Sequence, residues 1–153
     1  MNQDKAIKDR GDGPAFGIKG SRDGLPLIGI FNENARQFPE KQKLPWLVSV
    51  SSHFSDMFPN RLPKETEFPS LSQWEDSLIA TIENKSQFVW IGHVTWNGFR
   101  EVFFHIDEPE HVSRSLGKLS GGTHTRPFTF EIDFDEEWER VGVYFKKKMR
   151  PTN

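Results

Sequence analysis

Five histidines, a run of carboxylates near the C-terminus and no cysteine set the chemistry open to this chain. Without a thiol, disulfides, thiolate zinc sites and cysteine nucleophiles are excluded. His93 and His105 fall on opposite faces of one predicted hairpin and so cannot share a metal, while His53, His111 and His124 have no acidic or histidine neighbour at ligand spacing. Glu131, Asp133, Asp135, Glu136, Glu137 and Glu139 resemble a carboxylate cluster, but strand alternation followed by a helix start accounts for them, because carboxylates stabilise helix N-termini. Ser51-Ser52-His53 lacks a nucleophile elbow, and Gly-x-Ser-x-Gly occurs nowhere. Ser120-Gly121-Gly122-Thr123 lacks the lysine and spacing of a phosphate loop. No catalytic residue, cofactor or metal is therefore expected. The chemistry left open is a ligand-binding or hydrolytic pocket lined by Arg100, Glu101 and His105, with Arg100 pointing away from the other two, and a charged loop carrying Arg61, Lys64, Glu65 and Glu67.

Those residues are positioned by the stretch QFVWIGHVTWNGFREVFFHID, residues 87–107, where two aromatic-rich runs flank Asn97-Gly98. Asn and Gly tolerate the positive φ of a type I′ turn, whose twist matches the strands it joins, so the stretch predicts a β-hairpin. An uninterrupted two-residue turn would pair Trp96 with Phe99, Val94 with Glu101, Gly92 with Phe103, Trp90 with His105 and Phe88 with Asp107 on one face. Val89, Ile91, Val102, Phe104 and Ile106 would form the other, purely apolar face. The first face gathers Trp90, Trp96, Phe99, Glu101, Phe103 and His105 into a candidate binding surface, with Arg61 on the loop beside it. Three readings of it differ in consequence: burial beneath the C-terminal helix or N-terminal hairpin, a protein partner or homodimer contact, or stacking of single-stranded RNA.

The remaining elements follow from periodicity. Residues 1–13 are charged and aperiodic and are expected to be loose, followed by a single domain over 14–148 and a tail at 149–153. Residues 15–18 and 25–31 form a first hairpin around a turn-rich connection, and Trp46, Val48 and Val50 alternate with serines as a half-buried strand. Pro59, Pro63 and Pro69 keep residues 54–69 in a loop. Leu71, Trp74, Leu78 and Ile82 have helical spacing, and Ser72 with Glu75 has the form of a capping box, predicting a helix over 72–84. A second short helix covers 109–119, a last strand 128–132, and Phe134, Trp138, Val141 and Phe145 mark a terminal helix with Asp133 and Glu136 as its capping box and Lys146-Lys147-Lys148 at its end. The order from residue 44 is that of a ferredoxin-like α+β fold, a βαββαβ antiparallel sheet, with an N-terminal β-hairpin and an extra C-terminal helix. At 153 residues the chain can bury a core unaided. Its net charge of −2 and pI near 6.2 disfavour a dedicated nucleic-acid binder. The opening residues have no signal-peptide core and no run approaches the roughly 20 apolar residues that cross a bilayer, so a cytoplasmic protein without membrane contact is expected.

Gly24-Leu25-Pro26, residues 45–50, Asn60-Arg61-Leu62-Pro63, Glu75-Asp76 with Leu78, Gly92-His93 through Gly98-Phe99-Arg100-Glu101, and residues 135–138 together resemble the bacterial family called domain of unknown function 695. The chain departs from it in carrying Arg61 where glycine is expected and in lacking a Tyr-Pro in its last helix. The family is in turn distantly similar to protein regulators that inhibit ribonuclease E, which have a ferredoxin-like domain and act by binding a partner. The resemblance implies a non-enzymatic, protein-binding or regulatory module and transfers no catalytic residues.

Overall fold

In the computed structural model, which describes residues 5–123 and 125–146, the chain runs β1 (Lys8–Asp9), β2 (Ala15–Arg22), β3 (Leu25–Asn32), α1 (Glu33–Arg36), β4 (Trp46–His53), α2 (Phe68–Glu83), β5 (Phe88–Trp96), β6 (Phe99–Ile106), α3 (Pro109–Ser120), β7 (Thr129–Phe134) and α4 (Glu139–Lys146). These form a mixed α/β fold around one seven-stranded sheet of order β2-β3-β5-β6-β4-β7, antiparallel except that β1 pairs in parallel with β5. None of the described helices is long and apolar enough to cross a membrane.

Both hairpins are closed by residues that accept positive φ. Asp23 and Gly24 (φ 53° and 79°) join β2 to β3, and Asn97 and Gly98 (52° and 85°) join β5 to β6. The first hairpin is longer than its apolar segments suggest, because Lys19 to Arg22 continue β2 as an edge strand whose exposed positions need no apolar side chains. Within the segment expected to be loose, Lys8 and Asp9 pair with Phe88 and Val89, and Lys8 Nζ donates to the carbonyls of Glu83 and Ser86 at the end of α2. Residues 1–4, His124 and 147–153, which include part of the expected lysine helix end, lie outside the described residues.

The hairpin register is corrected by a β-bulge between Trp90 and Gly92. From the turn to Gly92↔Phe103 the expected pairs hold; beyond it Trp90 pairs with Phe104, Val89 with His105 and Phe88 with Ile106. Because side-chain direction alternates, a one-residue slip exchanges faces. Trp90 and Phe88 therefore join the layer under α2 and α3, while Val89 and Ile91 join the opposite one. Gly92 permits this: its φ is 152°, and a Cβ there would meet the Ile30 carbonyl oxygen at 2.4 Å and Phe31 Cδ1 at 2.5 Å.

Each sheet face consequently carries its own core. Leu71, Trp74, Leu78 and Ile82 of α2 and Val112 and Leu116 of α3 pack on Val48, Val50, Phe88, Trp90, Phe104 and Ile106. On the other face Trp138, Val141 and Tyr144 lie over Phe31, Leu47, Val89, Ile91 and Phe103. Two helix starts differ from expectation. α2 begins at Phe68, with Pro69 in its first turn, so Glu75 faces the sheet and is not a capping residue. The last strand extends through an exposed Phe134, and Asp135 caps α4 by accepting from the backbone N–H of Glu139 (3.0 Å) and Arg140 (3.1 Å).

Candidate functional site

The main buried charge cluster lies between α2 and the β5–β6 hairpin. Glu75, one helical turn beyond the Leu71 contact, enters the sheet side of α2 where the bulge has brought Trp90 across. Its Oε2 accepts from Trp90 Nε1 at 2.9 Å, and both oxygens lie 2.9 Å from His93 Nδ1. The Arg100 guanidinium is 3.8 Å from Oε1 and its Nε donates to Thr95 Oγ1 at 3.1 Å. With side-chain exposures of 11%, 16% and 12%, Glu75, His93 and Arg100 are all largely withdrawn from solvent. Burial opposes the carboxylate charge, but the His93 hydrogen bond and charge, the Arg100 charge and the Trp90 hydrogen bond outweigh it, holding the Glu75 carboxyl below its ordinary range. Burial likewise pushes the Arg100 guanidinium down, against the attraction of Glu75.

A carboxylate fixed on Nδ1 orients an imidazole and directs its Nε2 outward, an arrangement able to bind a polar group or pass a proton. Thr95, the hydroxyl nearest in the hairpin, is committed to Arg100 and supplies no activated nucleophile. Among the described residues no group of three or more His, Cys, Asp and Glu is arranged to hold a metal.

The residues singled out in the sequence divide among three places. Trp90 lies under α2. Phe103 and His105 are buried on the opposite face, where the His105 ring stacks on Trp138 at 4.3 Å and its Nδ1 meets the Leu44 carbonyl oxygen at 2.8 Å. Trp96, Phe99 and Glu101 are half-buried toward the hairpin turn on that same face; Trp96 Nε1 donates to the Arg22 carbonyl, and the Arg22 guanidinium sits 5.2 Å from the ring centre. Desolvation raises the Glu101 carboxyl, offset in part by Arg140 and Arg22. Arg100 therefore stands apart from Glu101 and His105, and those three residues do not line one pocket.

The model of the family described as "Family of unknown function (DUF695)" matches residues 20–146. The chain belongs to this family. No curated protein and no solved structure matches it. The DUF695 span takes in both hairpins, the Glu75–His93–Arg100 cluster and the loop where glycine was expected at position 61. There Arg61 has φ 67°, a conformation that glycine adopts freely; its carbonyl accepts from Gly98 N–H at 3.0 Å and its guanidinium reaches Asn97 Oδ1 at 3.3 Å. Sequence reasoning missed Arg126, which ties the α2 entry to β4: it donates to Ser52 Oγ, Ser70 Oγ, the His53 carbonyl and Glu67 Oε1. It also missed the Glu75 role, which a glycine inside a strand could have signalled through the bulge it permits.

Proposed function

We propose that this DUF695 protein is a non-enzymatic protein-binding module built on a ferredoxin-like core. The order β5-β6-β4-β7, with α2 and α3 on one face, supports that finer description of the fold. The observation that carries the functional reading is the flank of the sheet formed by β2 and β3. α2 and α3 pack over β4 to β7, and β3 beside them leaves Ile28 and Ile30 37% and 40% exposed on the helix-covered side of the sheet. Their cross-strand partners are Thr95 and His93, so the apolar strip adjoins the Glu75–His93 pair. β2 beyond it is an edge with unpaired backbone groups and exposed Lys19. An extended partner segment with apolar side chains over the isoleucines and a carboxylate toward Lys19 fits this flank by strand addition.

In this reading the protein acts in the bacterial cytoplasm by occupying a partner, the mode of action that the family's resemblance to ribonuclease E regulators implies. RNA stacking is less favoured, because Trp90 and Phe103 are buried on opposite faces of the sheet. A homodimer through the same edge is the second form of the hypothesis, and it would place Lys19 against a copy of itself. The Ile28→Glu, Ile30→Glu double variant tests both forms. It should melt like the parent protein while losing the partner retained from ribonuclease-treated lysate and any concentration-dependent mass in light scattering. Full retention of every interaction by the folded variant would sink the proposal.

A further inference from the structure

We infer that the outer face of α3 and the end of α2 form a binding site for the phosphoryl group of a small phosphorylated molecule. Lys85, His111, Arg114, Ser115 and Lys118 line a pocket of about 240 Å³ that contains no acidic side chain. Only His111 has a carboxylate near it, Glu108 at 3.7 Å; no carboxylate lies within 4 Å of Lys85, Arg114 or Lys118 among the described residues. In a protein of net charge −2, Lys85, Arg114 and Lys118 form a local excess of positive charge with no ion pair of their own among the described residues.

Cations from two elements converge on this pocket, which is why it points to a ligand. His111, Arg114 and Lys118 follow one another at spacings of three and four, which puts the Arg114 and Lys118 cations side by side along one stripe of α3. Lys118 in the last turn of α3 and Lys85 just past α2 have a structural reason to be there, since cations favour helix C-termini. Arg114, in the middle of α3, has Glu110 four residues before it but no carboxylate within 4 Å among the described residues. The scaffold beneath is rigid: Val112 and Leu116 are fully buried, and the Lys85 backbone N–H is held by the Ile82 carbonyl at 3.0 Å. Two lysine ammonium groups, a guanidinium able to bind two oxygens at once and the Ser115 hydroxyl suit a multiply charged tetrahedral oxyanion. The pocket is smaller than the roughly 300–1,000 Å³ of sites that enclose a whole organic ligand, so it would hold a phosphate or pyrophosphate end and leave the remainder outside. The patch spans one face of a short helix, not the extended basic stripe of a nucleic-acid surface.

The test is thermal melting of the full chain with pyrophosphate or glycerol phosphate, against sodium chloride at the same ionic strength. The parent protein should melt higher with either phosphate compound than with chloride. Both Arg114→Gln and Lys85→Gln, which come from different elements, should bind about tenfold more weakly or worse. Lys19→Gln, on β2, should respond as the parent does. An equal response to chloride, or an undiminished response in both pocket variants, would overturn the inference. Preferential binding of single-stranded RNA or of phosphatidylserine vesicles through Arg114 would overturn the assignment to a small molecule.

Discussion

His105 shows how a single side chain can set the acid limit of this protein. It lies between β6 and Trp138, fully buried, with Nδ1 donating to the Leu44 carbonyl. Desolvation lowers its pKa to about 4 from 6.5, the Leu44 hydrogen bond and Asp135 opposing that shift only in part. The unfolded chain therefore binds a proton below pH 6.5 that the folded chain refuses until about 4. Stability should be complete above pH 6.5 and fall across that window by at most roughly 3 kcal/mol, and urea unfolding at several pH values should show the slope. His105→Leu should flatten the slope whatever it does to absolute stability. Glu75 acts in a lower window. Its folded pKa is depressed, so its contribution is present above the ordinary carboxylate range and disappears as pH falls through the folded value. Glu75→Leu, which strands Arg100 and leaves the Trp90 N–H without an acceptor, should cost about 3–5 kcal/mol, and a double variant with His93→Ala should be less than additive. Arg61→Gly relieves a left-handed backbone worth about 1 kcal/mol and forfeits one exposed hydrogen bond, so it should be neutral or mildly stabilising.

At the scale of elements, the bulge at Gly92 decides which aromatic residues meet which helix. Gly92→Ala should cost more than about 2 kcal/mol, because a methyl group there collides with the Ile30 carbonyl and Phe31 and the φ is unsuited to an L-residue. A shift of the Trp90 indole signal in the folded fraction would report partial loss of the bulge. Much at this scale was legible in the sequence: Asn97-Gly98 specified its turn chemically, and the Leu71, Trp74, Leu78, Ile82 spacing identified α2. The start of α2 was not legible, since Ser72 and Glu75 satisfy a capping pattern that burial of Glu75 against the sheet overrides. β1 was illegible for a related reason. Two residues carry no periodicity, and their pairing is supplied by β5, some 80 positions away.

For the whole molecule, the decisive feature is that one sheet supports two cores. The entry to α4 closes the second through Trp138, the residue just before the helix, whose Nε1 donates to the Lys41 and Leu44 carbonyls and whose ring is stacked by Phe38 and His105. Trp138→Ala should cost about 3–5 kcal/mol and raise binding of a hydrophobic dye, because it uncovers the rings of Phe38 and His105. On the opposite face α2 and α3 stop short of β3, leaving Ile28 and Ile30 exposed there.

The amino-acid sequence determined every strand but β1, the two hairpins, the main helices and the lack of thiol chemistry, because these depend on residues near one another and on side-chain type. Tertiary structure decided which aromatics are covered, that Glu75 faces His93, and that Lys85 reaches the cations of α3. Those outcomes depend on a one-residue bulge and on packing between distant segments, where a small local geometry is amplified into the assignment of a whole sheet face.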